Sequence, residues 1–152
     1  MEPAKTFETA RWLRDTTLQL LDPQPASLAL FGSFAKGNWT AESDLDLLVV
    51  SDTPRLPYDR TLWISPLLKA WRTRVANQDP KIPLSPLFLS KAGLENSIGL
   101  RLSLSDHAWI LWDDGYLSAQ LHEASDQIRK GLWWRKDLPD GGWLWVPKGV
   151  AA

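Results

Sequence analysis

The chain contains no cysteine, which excludes disulfides, zinc-thiolate centres and a cysteine nucleophile and fits a reducing compartment. Histidine is nearly as scarce. His107 and His122 are the only two, they stand far apart without an HExxH arrangement or an acidic cluster, and they read as exposed or core side chains rather than zinc ligands. No uninterrupted apolar run approaches the ~20 residues that cross a bilayer. The opening Met1-Glu2-Pro3-Ala4-Lys5 lacks the basic stretch and apolar core of a secretory signal, so the expectation is a cytoplasmic protein with no membrane partner. Neither sign of charge prevails: 17 Lys and Arg against 18 Asp and Glu leave a net charge of -1. That argues against a broad basic surface for nucleic acid, which is not excluded as a partner but would need a local patch. Internal repeats and low-complexity segments are also absent.

What remains is a chain of 152 residues, enough for one domain with a real core and too short for two comfortable ones. The expected organisation is a single domain over 1–152 with a tryptophan-rich extension from about 132 to 152. Apolar residues at 44% and charged residues at 23% are ordinary for a globular protein, so the ten tryptophans are the compositional departure.

Hydrophobic spacing orders the elements. Phe7, Ala10, Leu13, Thr17, Leu18 and Leu21 recur at helical steps and predict a helix over 5–21, ended by Asp22-Pro23-Gln24-Pro25. Ala26 to Phe31 reads as a buried strand closed by Gly32, and Asp44 to Val50 as a second, β-branched strand. Leu62, Trp63, Leu67, Leu68, Trp71 and Val75 predict a helix over 58–78, with a kink or new start at Pro66. Ile82 to Leu89 is a third strand pushed to a sheet edge by Pro83 and Pro86. Ser90 looks like the N-cap of a helix running to about Leu104. Ala108 to Trp112 is a fourth strand, followed by the Asp113-Asp114-Gly115 turn and a helix over 116–130 closed by Gly131. The fold class is therefore α/β (α+β): a small mixed sheet of about four strands flanked by helices.

The chemistry concentrates between residues 26 and 50. Gly32 lets the backbone approach a phosphate where a side chain would collide, and Ser33 offers both an N–H and a hydroxyl. Asp44 and Asp46, at i and i+2 on an extended strand, point to the same face with Cα atoms roughly 6.6 Å apart. Two carboxylates so spaced can converge on Mg²⁺ (or Mn²⁺), which takes one or two protein carboxylates and completes its shell with water and substrate phosphates. Lys36 adds a positive charge beside those phosphates. The glycines at 32 and 37 also fit a P-loop spacing, but Asn38-Trp39 stand where that loop needs Lys and Ser or Thr. Ser33 lacks the Gly-x-Ser-x-Gly context of a hydrolase nucleophile.

The segment Gly32, Ser33, Lys36, Gly37, Ser43, Asp44 and Asp46, with a strand on either side, resembles the signature of the DNA polymerase β-like nucleotidyltransferase superfamily. More loosely, the helical start, Ser85-Pro86, Trp112-Asp113 and the tryptophan-rich tail look like the small stand-alone prokaryotic nucleotidyltransferases. The resemblance implies a nucleotidyltransferase fold and an enzyme that moves a nucleoside monophosphate from a triphosphate, ATP by expectation, to an acceptor protein, RNA or small molecule. It implies Asp44 and Asp46 as catalytic metal ligands and Gly32, Ser33 and Lys36 as phosphate-binding residues. Members of this minimal group act with helical partner proteins in antitoxin-like pairs, so such a partner is expected, and a homo-oligomer is admitted.

The superfamily also places a third carboxylate on the next sheet strand. Here that strand reads Ile82-Pro83-Leu84-Ser85-Pro86-Leu87-Phe88-Leu89, with Ser85 its only polar side chain. Asp79 and Glu95 are the substitutes within reach in sequence. The alternative function is a degenerate module that binds nucleotide or a partner without transfer. Trp39 beside the motif is either a stacking platform for a base or packing. Trp133, Trp134, Trp143 and Trp145 read as cover for the core rather than an aromatic cage, and Arg129, Lys130, Arg135 and Lys136 as solvated charges near a helix C-terminus.

Overall fold

A computed structural model describes residues 3–150. The order is α1 (Pro3–Leu20), β1 (Ser27–Phe31), α2 (Gly32–Lys36), β2 (Leu45–Val50), α3 (Pro57–Arg74), β3 (Leu84–Leu89), α4 (Lys91–Glu95), α5 (Ile98–His107), β4 (Trp109–Asp113), α6 (Tyr116–Arg129), β5 (Trp133–Asp137) and β6 (Trp143–Pro147). The first four strands form a mixed sheet in the order β3-β2-β1-β4, with β2 and β3 parallel and the other pairs antiparallel. The last two strands form a separate antiparallel pair.

Alternation along the central strands sorts their side chains onto two faces. Leu28 and Leu30 of β1 with Leu45, Leu47 and Val49 of β2 pack against Leu13 of α1 and Ile64, Leu67 and Trp71 of α3. Ala29, Leu48 and Val50 pack against Leu94, Leu104, Leu117 and Leu121 of α4, α5 and α6. Helices thus cover both faces, which is why β1 and β2 read as near-continuous apolar runs. The prolines of 83 and 86 stay at the periphery because β3 is an edge strand, where a missing N–H breaks no ladder.

Two helical expectations need correction. Pro66 does not start a new helix, since α3 runs unbroken through it. Pro66 and Leu62, whose carbonyl loses its N–H partner, are both exposed, so water can serve that carbonyl. Trp63, Ile64, Leu67 and Trp71 on the other side are buried and hold the axis. Conversely, the segment after Ser90 is two helices. Ser90 does cap α4, its Oγ accepting the Gly93 N–H at 2.9 Å. The chain then breaks at Asn96-Ser97, where Ser97 Oγ donates to Gly93 O at 2.8 Å and the buried Arg101 donates to Glu95 O at 2.9 Å. The last carbonyls of α4 find side-chain donors there in place of the next helical turn.

The tail hairpin docks through its indoles. Trp133 Nε1 donates to Gln127 on α6 at 2.9 Å and Trp145 Nε1 to Ser103 on α5 at 3.3 Å. Among the described residues, no helix is long and apolar enough to cross a membrane.

Candidate active site

The first strand ends in Phe31, and the chain turns at Gly32 with φ of +70° into the single turn of α2, which Gly37 closes at φ of +78°. Both angles lie where residues with a Cβ are strained. At Gly32 there is a second constraint. Phe31 pairs with Asp46 across the antiparallel β1–β2 ladder, and a Cβ built on Gly32 would stand 2.1 Å from Asp46 Oδ2. The glycine is therefore required by the carboxylate that packs against it, before any phosphate is considered.

Asp46 shares the sheet face of Leu48 and Val50, at the end of β2 where the helical cover stops. Asp44 precedes the strand by one residue and is exposed, whereas Asp46 is half-buried. Burial, and then the charge of Asp44, raise the Asp46 pKa above its ordinary carboxylate value. The loop that delivers Asp44 is pinned locally: Thr40 N–H donates to Ser43 Oγ at 2.9 Å and Ser43 N–H to Thr40 O at 3.0 Å. Trp39 packs its ring against Phe34 of α2, centroids 5.4 Å apart, as a support for the turn.

The missing acid stays missing. Ser85 is the direct partner of Asp46 in the parallel β2–β3 register, so the serine does occupy the neighbouring strand position. Glu95 lies beyond the opposite end of β3, past the ~13 Å of strand from Ser85 to Leu89 at ~3.3 Å per residue, and accepts the Tyr116 hydroxyl at 2.7 Å. Asp79 lies at the correct end of the sheet but lines a separate cavity with Trp39, Trp71 and Arg74. Among the described residues no group of three or more His, Cys, Asp or Glu is placed to hold a metal ion.

The residues present suit a hard divalent cation shared with a ligand. Burial, with the charge of Asp44 second, makes the Asp46 carboxylate costly to ionise, and a cation held beside both would offset that cost. An all-oxygen pair selects Mg²⁺-like ions and leaves most of the shell to water and phosphate.

A neighbour that the sequence did not reveal completes the turn. Gly32 N–H donates to Nε2 of His107, at the end of α5, at 3.3 Å. The ring is only 9% exposed, with Nδ1 facing Asp106 at 4.0 Å. Burial first, and then the Lys36 charge, lower its pKa, with Asp106 opposing. A neutral ring is what an Nε2 acceptor requires. Ser33 is half-buried at the start of α2, and Lys36 is exposed at its end, its Nζ 5.5 Å from the centroid of Trp143. Arg135, expected near a helix terminus, instead lies on β5 with its Cζ 5.1 Å from the same ring.

The family model of the nucleotidyltransferase domain matches residues 10–95, from within α1 through the end of α4, and so includes Gly32, Ser33, Asp44, Asp46 and Ser85. No curated protein matches the chain. Among solved structures, a chain from a toxin–antitoxin complex with AMP-PNP is 15% identical, with a TM-score of 0.48 over 85% of this chain and 89% of that one. A candidate nucleotidyltransferase from Sulfolobus solfataricus is 14% identical, with a TM-score of 0.48 over 73% and 86%. A chain from the complex of the tri-AMPylated Shewanella oneidensis HEPN toxin with MNT antitoxin is 16% identical, with a TM-score of 0.43 over 80% and 87%.

Proposed function

The chain belongs to the nucleotidyltransferase domain family, and from that premise we propose that it moves a nucleoside monophosphate from a nucleoside triphosphate, ATP first among the four, to a protein, RNA or small-molecule acceptor. What carries the reading is one observation. Within the matched segment, Asp44 stands one residue before β2 and near enough for its charge to act on Asp46, and Asp46 is seated against Gly32, where an added Cβ would meet its carboxylate. In the reaction the acceptor nucleophile bonds to the α-phosphorus, the bond from that phosphorus to the bridging oxygen breaks, and pyrophosphate leaves. The acceptor's proton passes to solvent or to a base on the acceptor's own side.

Asp44 and Asp46 would hold Mg²⁺, which when bound neutralises charge on the phosphate oxygens. The chain itself positions the phosphates: Ser33 by its N–H and hydroxyl at the start of α2, Lys36 by its charge one turn on. Positioning and charge stabilisation account for most of catalysis in phosphoryl transfer, so the fold needs no covalent participant. The hairpin of 132–150 belongs to the same domain in this reading, and the cysteine-free composition fits the cytoplasm.

A second reading is favoured by Ser85. With serine beside Asp46 where a third carboxylate is expected, the chain binds nucleotide without transferring it, and a helical partner protein becomes a binding partner rather than an acceptor. Transfer of α-labelled phosphate from each ribonucleoside triphosphate, with and without a co-purified partner, separates the two. The enzyme reading expects label on an acceptor that Asp44→Asn abolishes. Mg²⁺-dependent nucleotide binding without label on any acceptor favours the binding module, and no nucleotide binding at all refutes both.

A further inference from the structure

Beside α2 lies a cavity of about 630 Å³ lined by Lys36, Asp106, His107, Trp109, Arg135 and Trp143. It adjoins the candidate turn through two residues: His107 on its wall accepts the Gly32 N–H, and Lys36 lies one helical turn beyond Ser33. Its distinctive element is a pair of like charges converging on one indole, with Lys36 Nζ 5.5 Å and Arg135 Cζ 5.1 Å from the centroid of Trp143. Cation–π contact holds both cations over the ring but neutralises neither.

The nearby carboxylates do not neutralise them either. Asp137 approaches only Nε of Arg135, at 3.7 Å, with its own side chain 80% exposed, and exposed pairs of this kind are weak. Asp106 faces the buried His107 ring. The terminal nitrogens of the guanidinium remain a planar fork of the type that grips phosphate in bidentate fashion.

We propose that this cavity seats the outer phosphates of the triphosphate, with Arg135 of the tail hairpin joining Lys36 of α2 as the charged donors and Trp143 as the platform that holds the two together. The proposal rests on the nucleotide-binding reading above and deepens it. The hairpin becomes the part of the chain that distinguishes a triphosphate from a monophosphate, and its two cations face the group on which negative charge accumulates as pyrophosphate departs.

Titration calorimetry on the full chain tests it, with ATP, AMP and inorganic tripolyphosphate as probes, each with Mg²⁺, and tripolyphosphate again with EDTA. Arg135→Ala is expected to weaken ATP and tripolyphosphate binding about tenfold, equivalent to ~1.4 kcal/mol, while AMP affinity and Tm stay at wild-type values. Arg135→Lys is expected to recover part of the loss, and Trp143→Leu to reproduce the ATP-against-AMP split. Three results overturn the proposal: ATP affinity within twofold of wild type in Arg135→Ala, equal losses for ATP and AMP, or unchanged ATP binding with reduced transfer to an acceptor, which would give the cavity to the acceptor. If Mg²⁺-ATP binds and Arg135→Ala leaves it unchanged, this proposal fails and the nucleotide reading stands. If tripolyphosphate binds in EDTA in an Arg135-dependent way while Mg²⁺ adds nothing, the aspartate reading fails and this one stands.

Discussion

Replacing Gly32 by alanine, with Gly37→Ala as its control, isolates the contact on which the site depends. Both glycines have left-handed backbones, φ +70° and φ +78°, so each alanine pays a similar backbone penalty of about 1–2 kcal/mol. A Cβ at 37 meets nothing within 4 Å, whereas a Cβ at 32 lies 2.1 Å from Asp46 Oδ2, 3.0 Å from its Cγ and 3.4 Å from its Cβ. Because three atoms of so short a side chain are involved, the carboxylate must swing as a unit, and an off-rotamer χ1 adds about 0.5–1.5 kcal/mol. Gly32→Ala should therefore lower the unfolding free energy by about 1.5–3.5 kcal/mol, and Gly37→Ala by about 1–2 kcal/mol. The larger difference is functional. If the two aspartates share a cation as proposed, Asp46 turned from its seat would lose that geometry, and Mg²⁺-dependent nucleotide affinity should fall at least tenfold in Gly32→Ala alone, a loss of ~1.4 kcal/mol or more. Urea unfolding and calorimetry with Mg²⁺-ATP measure the two effects. Equal behaviour of the two variants in both assays would refute the steric argument.

Asp46→Asn should raise Tm at pH 7 while abolishing Mg²⁺-dependent nucleotide binding. The folded Asp46 pKa is raised by burial and by Asp44, so the native state binds its proton more readily than the unfolded state, and stability is lost as pH rises through the folded pKa. The asparagine's advantage should vanish below about pH 4, near the ordinary carboxylate value. Asp113→Asn should lower stability by about 1–3 kcal/mol near neutral pH, because Asp113 accepts from Ser27 Oγ, Leu117 N–H and both donors of Ser118 at the start of α6. Burial works to raise its pKa, but the Ser118 and Ser27 hydrogen bonds outweigh it and the net shift is downward. Its contribution is therefore present above the ordinary pKa and lost as pH falls through the folded one, and chemical unfolding from pH 7 to pH 2.5 should show the two proteins converging. Ser85→Asp should lower Tm in EDTA by adding a third negative charge beside Asp46, and Mg²⁺ should raise its Tm by more than it raises that of wild type. An equal Mg²⁺ response would mean that position 85 does not face the metal.

Legibility in the sequence followed the range of the interactions that decide each element. The strands at 27–31 and 45–50 were readable because both sheet faces are covered and nearly every side chain must be apolar. The edge position of β3 was readable from Pro83 and Pro86, whereas its register, which sets Ser85 beside Asp46, depends on a strand pairing that local residues do not fix. Pro66 misled because the effect of a proline depends on whether its side of the helix faces water, which only packing decides. The break between α4 and α5 was hidden for a related reason: its stabilising donor, Arg101, reaches Glu95 O from within the next helix, and a charged residue in an apolar period gives no local sign of burial.

The site divides along the same line, and the division explains why Gly32 admitted two explanations. In sequence, the glycine beside Ser33 reads as clearance for a phosphate, because only residues close along the chain are available to explain it. In the fold, its side-chain position is taken by Asp46 and its N–H by His107, fourteen and seventy-five residues away. The first of these is half-visible, since the Asp-x-Asp pattern lies on the next strand and a hairpin-like return brings it close. The second has no sequence signal at all. A lone histidine after an apolar helix is indistinguishable from a core histidine until α5 is placed behind the turn. In the proposed site, with the Gly32 amide committed to His107, an incoming phosphate would rely on Ser33 and on side-chain cations. Lys36 alone is a weak counterpart to a polyanion in water. That deficit makes the second cation at Trp143 consequential, because a turn with fewer free amides needs more charge from its surroundings, and here the surroundings supply it from the far end of the chain.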